Sequence, residues 1–226
     1  MTGTVTFGNR TIGKGNPVEI ALSVTDILDS DAVAQRVGMI IDRTFGLGCF
    51  GSICIRDDLH SPEAFAESAA VVAGIWDGGI ILESQEAASI VSAMPALEGR
   101  DPLVCGLDPL SASMVASMFG CPVAVRSSDP EELLDYVEEA GTDRVVLDPM
   151  FMNIKSVLEN ATDLNRLSEL VPQADHPVMV KGWSGEYAVS MASLAILRYC
   201  SLVVVDDLDR DGCEVLELLS GSAGAR

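Results

Sequence analysis

The sequence predicts a closed (β/α)8 TIM barrel, an α/β fold carried by one domain over residues 1–226. Three observations predict it. Short apolar runs that read as strands buried on both faces alternate with helical patterns, which means parallel β/α structure. Eight such units follow one another with almost nothing left over, as a closed barrel requires. No Gly-x-Gly-x-x-Gly follows the first of them, which argues against a dinucleotide-binding sheet. A chain of 226 residues that is 48% hydrophobic can fill one large core, and no linker or shift in composition divides it.

Residues 1–15 read as an N-terminal β-hairpin, with Val5-Thr6-Phe7 and Thr11-Ile12 flanking the turn Gly8-Asn9-Arg10. Such a hairpin can plug one end of a barrel. The first barrel strand is Val18 to Val24, ending in Asp26, and its helix starts near Ser30 with Val33, Val37, Ile40 and Ile41 at helical spacing. The second is Ser52 to Ile55, ending in Arg56-Asp57-Asp58; Ser61 then caps a helix that has Pro62 at its first position. The third is Gly79 to Leu82, ending in Glu83-Ser84, with a helix from about Gln85 to Ala96. The fourth is Leu103 to Leu107, ending in Asp108-Pro109, with a helix from Ser111 to Phe119 rich in Ala, Ser and Met. The fifth is Pro122 to Val125, ending in Arg126, and Asp129-Pro130-Glu131-Glu132 starts the next helix with acids where the dipole favours them. The sixth is Val145 to Asp148. It is followed by the longest connection, Met150 to Lys155, and a helical pattern to about Leu170. The seventh is Pro177 to Val180, ending in Lys181-Gly182-Trp183, with a mostly apolar helix from Glu186 to Arg198 that should be largely buried. The eighth is Leu202 to Val205, ending in Asp206-Asp207, with a last helix from about Asp211 to Leu219 and a frayed tail from 221 to 226.

The net charge is −20, from 34 acids against 14 Lys plus Arg, so nucleic acid is not an expected partner. The acids are spread over many helices, which suits solubility or a salty cytoplasm. No apolar run is long enough for a membrane helix, and the N-terminus lacks signal-peptide character, so a cytoplasmic protein without membrane contact is expected. The six cysteines form no Cys-x-x-Cys pair, so neither zinc nor an iron–sulfur cubane is signalled; Cys54 and Cys105 read as small core residues.

In such barrels chemistry sits at the C-terminal ends of the strands. There the chain places Asp26, Arg56, Asp57, Asp58, Glu83, Asp108, Arg126, Asp148, Asn153, Lys181, Trp183, Asp206 and Asp207. The fold itself drives polar residues to strand ends, and acids there also cap helices. The cations are scarcer: Arg56, Arg126 and Lys181 all end strands, either to pair with the acids or to meet an anionic ligand. Leu107-Asp108-Pro109 and Leu147-Asp148-Pro149 are alike, and a carboxylate at such a point can accept paired N–H bonds from a guanidine-like or pterin-like heterocycle. Trp183 offers a stacking face or rim packing. His60 reads as a solvated loop residue and His176 falls on the opposite face, so no Ser-His-Asp arrangement, metal cluster or phosphate loop is indicated.

The order of motifs resembles a known family. Asn16-Pro17 leads into the first strand and Thr25-Asp26, Ile55-Arg56 ends the second, and Cys121-Pro122-Val123 opens the fifth. Arg144 to Pro149 forms the sixth, and Met191 to Tyr199 runs into Leu202 to Val205. Together these resemble, over residues 1 to about 219, the barrel domain of the corrinoid/iron–sulfur protein large subunit. In archaea, methanogens included, this is the gamma subunit of the acetyl-CoA decarbonylase/synthase complex. The resemblance implies a pterin-binding type of barrel and methyl transfer between a tetrahydropterin, of tetrahydromethanopterin type, and the cobalt of a corrinoid. It implies Asp108, Asp148 and Asn153 as catalytic or pterin-anchoring residues, with Arg56, Glu83, Arg126, Lys181 and Asp206 completing the cofactor site. The family's flanking cluster and corrinoid domains have no counterpart in this sequence. The expectations are therefore no iron–sulfur cluster, no metal site, and a corrinoid protein or complex subunit as partner rather than a corrinoid held by this chain alone. The family's glycine after the sixth strand's Asp-Pro is Met150 here. The alternatives left open are a non-catalytic barrel that docks on such a complex, with homo-oligomerisation a further option, and an unrelated enzyme on the same fold.

Overall fold

A computed structural model describes residues 3–150, 153–171, 174–183, 185–198 and 200–223. Strands β1 (Thr4–Phe7) and β2 (Arg10–Gly13) pair antiparallel as the expected hairpin. Eight parallel strands follow: β3 (Glu19–Thr25), β4 (Ser52–Arg56), β5 (Gly79–Glu83), β6 (Leu103–Cys105), β7 (Val123–Arg126), β8 (Val145–Asp148), β9 (Met179–Trp183) and β10 (Leu202–Val205). Between and after them run α1 (Ser30–Thr44), α2 (Pro62–Ile75), α3 (Ala87–Ala93), α4 (Pro109–Phe119), α5 (Pro130–Glu139), α6 (Ile154–Leu170), α7 (Ala188–Leu197) and α8 (Arg210–Ala223). The sheet order is β8-β7-β6-β5-β4-β3-β10-β9. A single bridge between Leu147 and Val178, with the Leu147 amide donating to Pro177 O at 2.8 Å, brings β8 to β9. The expected TIM barrel is thus present, nearly closed, with its thinnest seam between β8 and β9.

Two apolar layers hold it. The larger lies between the strands' outward side chains and the helices, built from residues such as Ile20, Ile53, Phe65, Ile80 and Leu216. The smaller fills the barrel: Ala21, Cys54, Ile81, Leu103, Cys105, Ala124, Val146, Met179 and Val204 meet Val5, Phe7 and Ile12 of the hairpin. The hairpin therefore plugs the N-terminal end. Arg10 locks it there, donating through Nε (2.9 Å) and Nη2 (2.5 Å) to Glu19 Oε2, while Glu19 Oε1 accepts from Gly51 N (3.0 Å) and Ser52 Oγ (2.6 Å). Burial raises the Glu19 carboxyl above its usual range, against the pull of Arg10.

The plug needs glycine beneath it. A Cβ on Gly79 would stand 2.6 Å from Ser52 Oγ and 2.7 Å from Phe7 Cε2. Gly79→Ala is expected to cost about 1–3 kcal/mol by overpacking. The urea midpoint should fall with the slope unchanged.

Helix starts follow the local chemistry expected of them. Asp29, Ser61, Asp108, Asp129 and Asn153 each accept an amide hydrogen bond at the first turn of α1, α2, α4, α5 and α6. Among the boundaries that differ from the sequence reading, three have a local cause. β6 ends at Cys105 rather than Leu107, because Gly106 turns the chain at φ 96°, where a Cβ would stand 2.7 Å from Ser84 O. The third helix stops at Ala93 and continues as a 3-10 turn over Met94–Leu97, where Pro95 cannot supply an α-helical amide donor. The last helix runs on to Ala223, past the point where a frayed tail was expected. Ser220 Oγ donates to Val18 O at 2.6 Å and ties it to the barrel. Residues 224–226 of that tail lie outside the described residues. As expected, α7 is mostly buried.

Candidate functional site

Strand periodicity builds the mouth. Side chains two apart on a strand share a face, so the interior run Cys54, Ile81, Cys105, Ala124, Val146 and Met179 is continued toward the C-terminal ends by Arg56, Glu83, Arg126, Asp148 and Lys181. Register sets neighbours side by side: Arg56 against Glu83, Glu83 against Cys105, and Arg126 against Asp148.

At the β8–β9 seam these residues form a buried charged cluster. Lys181 Nζ donates to Glu83 Oε1 at 2.5 Å and lies 3.8 Å from Asp148 Oδ2. Arg126 Nε lies 3.7 Å from the same oxygen. The side chains of Lys181 and Asp148 are only 8% and 3% exposed. Asp148 Oδ1 accepts from the Met150 amide at 3.1 Å, but Asp148 Oδ2 and Arg126 Nε are buried and make no hydrogen bond among the described residues. Asp148 Oδ2 is thus held between two cations, too far from either for a hydrogen bond. Burial raises the Asp148 carboxyl above its usual range, against the lowering pull of Lys181 and Arg126. Burial pulls the Lys181 ammonium down, but Cys105, Glu83 and Asp148 outweigh it and hold the ammonium above its usual range. Cys54, read from the sequence as core, donates to Glu83 Oε2 at 3.7 Å, and burial pushes the Cys105 thiol up to about 12.

Met150 stands where the resembled family has glycine, and its φ is +52°, a conformation that suits glycine. Met150 takes this turn although it is not a residue that adopts it freely, and its amide donates to Asp148 Oδ1 at 3.1 Å. Met150→Gly is expected to gain up to about 1 kcal/mol by relieving this strain. A denaturation midpoint that falls instead would place the stabilising contribution in the Met150 side chain.

A second cluster lies at the ends of β3, β4 and β10. Arg56 Nη1 donates to Asp206 Oδ1 at 2.6 Å, and its Nη2 to both oxygens of Asp58 at 3.0 and 3.1 Å. Ser23 Oγ donates to Asp206 at 3.0 Å and Thr25 Oγ1 to Asp58 at 2.6 Å. The guanidinium of Arg56 is therefore taken up by internal acids. Asp26 accepts from the amides of Asp58 (2.8 Å) and Leu59 (3.0 Å), and Asp57 from Ser84 Oγ (2.6 Å). Burial raises the Asp26 carboxyl, whereas Asp57 is lowered despite its burial by Ser84, Ser89 and Asp26. The two carboxyls act on each other: Asp57 pushes Asp26 up and Asp26 pulls Asp57 down. Sequence reading placed both at the mouth but had no signal that they would meet, since the contact joins two loops.

Asp108 and Asn153 stand apart. Asp108 is exposed and caps α4 by accepting from Ser111 N at 3.1 Å; its hydrogen bonds to Ser111 lower its carboxyl. Asn153 is exposed and forms a capping box with Ser156. Among the described residues neither bonds to the buried cluster. The side chain of Trp183 lies outside the described residues. His60 is exposed in the loop after β4, and His176 lies before β9 on the far face. No group of His, Cys, Asp and Glu among the described residues is disposed to hold a metal ion, and no described helix is long and apolar enough to cross a membrane.

Comparison with known proteins bears on both fold and lineage. The sequence model of the CO dehydrogenase/acetyl-CoA synthase delta subunit matches residues 13–220. This bears out the resemblance to a barrel subunit of that complex; the subunit named is delta, where the motifs resemble gamma. A search of curated proteins finds no match. Among solved structures, the Yersinia pestis dihydropteroate synthase with a pterine-sulfa conjugate aligns with TM-score 0.74 at 16% identity, covering 99% of each chain. The Vibrio fischeri 7,8-dihydropteroate synthase aligns with TM-score 0.71 at 14% identity over 97% of each chain. A Coxiella burnetii dihydropteroate synthase in complex with pteroic acid aligns with TM-score 0.69 at 15% identity over 99% of each. At such identities the likeness is one of fold.

Proposed function

Because the chain belongs to the CO dehydrogenase/acetyl-CoA synthase delta subunit family, we propose that it serves one-carbon metabolism by binding a reduced pterin at the mouth of its barrel. The observation that carries this reading is Asp148 Oδ2, a buried carboxylate oxygen with two cations near it and no hydrogen bond. A pterin presents an amide N–H and an amino N–H side by side, a donor edge that a carboxylate accepts. Asp148, supported by Glu83, would take that edge; Lys181 keeps the two acids from repelling each other. Arg126, whose Nε makes no hydrogen bond, would meet an anionic part of the ligand. Asp108 and Asn153 act from the rim, and Arg56 with Asp206 shapes the wall of the mouth. Similarly folded synthases were solved with a pterine-sulfa conjugate and with pteroic acid, which agrees with this choice of heterocycle.

In this proposal the pterin is a methylated tetrahydropterin of tetrahydromethanopterin type, and its methyl group passes to the cobalt of a corrinoid held by a separate protein. The barrel's contribution is mostly positioning, together with a proton for the pterin nitrogen as the methyl leaves. The test mixes purified chain, methyl-tetrahydromethanopterin and a reduced corrinoid protein while the cobalt absorption bands are followed. Conversion at a rate proportional to the chain's concentration supports transfer. Saturable pterin binding with unchanged bands would leave a pterin-holding, non-catalytic subunit.

A further inference from the structure

Helices α3 and α4, with the 3-10 turn between them, contain no charged residue from Ala87 to Leu97 or from Pro109 to Phe119, in a chain that is 21% charged. α3 packs between α2 and α4, so these segments form one continuous wall of the barrel. Its outward side chains are uncharged, and large apolar ones stand among Ala88, Ser92, Pro95 and Ser117. Leu110, Met114 and Met118 recur at a spacing of four on one face of α4 and are 81%, 46% and 59% exposed. Phe119, Val91 of α3 and Ile75 of α2 extend the patch. α7 is equally free of charge, but it buries Ala188, Met191, Ala192, Ala195 and Ile196. A wall of this kind left to water marks an interaction surface, and methionine suits it to an adaptable contact.

The edges of the wall say what covers it. Glu86 stands at its upper edge, Glu98 at its lower edge, and Glu138 and Glu139 on neighbouring α5; all are exposed. The cations at the lower edge are both taken up, Arg100 by the carbonyls of Trp76 and Gly78 and Arg144 by Asp101 and Gly120 O. A second copy would therefore set one acidic rim against another, at a cost in repulsion. We propose that the α2–α3–α4 wall docks a different protein subunit, one presenting an apolar patch edged by lysine and arginine. The inference draws on the wall alone and not on the pterin site, which lies at the barrel's mouth.

The test places a photo-crosslinking residue at Met114, and as a control at Leu218 on α8, which is 77% exposed. Each protein is irradiated in extract of the source organism, and the protein linked through position 114 is identified, purified and titrated against the chain. We expect a heterologous protein linked at 114 and not at 218. Its affinity should fall at least about a hundred-fold for Met114→Glu/Met118→Glu and at least about ten-fold for Glu138→Lys/Glu139→Lys, with circular dichroism and pterin titration unchanged. Linkage of the chain to itself with a dimer in sedimentation, no linkage at 114, equal linkage at both positions, or affinity indifferent to either variant would overturn the proposal. Because pterin titration is read on the same variants, failure here is distinguishable from failure of the pterin reading.

Discussion

Lys181→Met is expected to remove about 3–5 kcal/mol of stability at neutral pH. The methionine keeps the length of the apolar stem but removes the charge on which two acids depend. Glu83 Oε1 sits 2.5 Å from Nζ and Asp148 Oδ2 3.8 Å away, and the Asp148 side chain is only 3% exposed. Without Lys181 the two carboxylates face each other with Arg126, 3.7 Å from Asp148, as the cation left beside them. The pH dependence has a definite sign. Asp148 has a folded pKa above its unfolded value. Its protonation thus contributes stability that is fully present below the unfolded carboxylate pKa and is lost as pH rises through the folded one. Loss of Lys181 raises that folded pKa further. The deficit of the variant should therefore shrink on acidification and grow as the medium turns alkaline. Urea denaturation of both proteins across pH measures it, and a deficit that stays constant with pH would contradict the charged-cluster account.

Asp148→Asn should weaken pterin binding about a hundred-fold, the loss of roughly 3 kcal/mol expected for a charge-assisted pair of hydrogen bonds. The substitution keeps the shape and removes the acceptor. Oδ1 of Asp148 receives the Met150 amide at 3.1 Å, so an asparagine keeps its carbonyl oxygen on that side. Its NH2 group then falls where Oδ2 was, facing both the ligand's donors and the two cations. Stability should change far less than for Lys181→Met, since the Lys181–Glu83 pair survives. Binding that weakens only in step with general unfolding would separate a structural role for Asp148 from the proposed one.

Much of this site was legible because strand periodicity is strict. Once Glu83, Arg126, Asp148 and Lys181 end their strands in phase with an apolar interior, they converge on one opening. The same rule misjudges residues just past a strand. Leu107-Asp108-Pro109 and Leu147-Asp148-Pro149 read alike, yet Asp148 is the last residue of β8 and Asp108 lies beyond β6. The difference comes from Gly106, whose φ of 96° takes the chain out of the sheet early and leaves Asp108 to cap α4. The sequence also left open whether Arg56 meets a ligand or internal acids. The choice depends on Asp206, 150 residues away, and on the geometry of three loops. Met150 shows the converse. The residue type argues against a left-handed turn, yet Met150 adopts φ +52°, because a backbone conformation can persist when a neighbouring side chain holds it.

The account stands or falls on whether the free oxygen of Asp148 receives a pterin. The most direct measurement is calorimetric titration of the native chain and Asp148→Asn, side by side, with methyl-tetrahydromethanopterin. The account predicts saturable binding to the native chain and about a hundred-fold weaker binding to the variant. No saturable binding to the native chain, or equal affinity for the two, would contradict it.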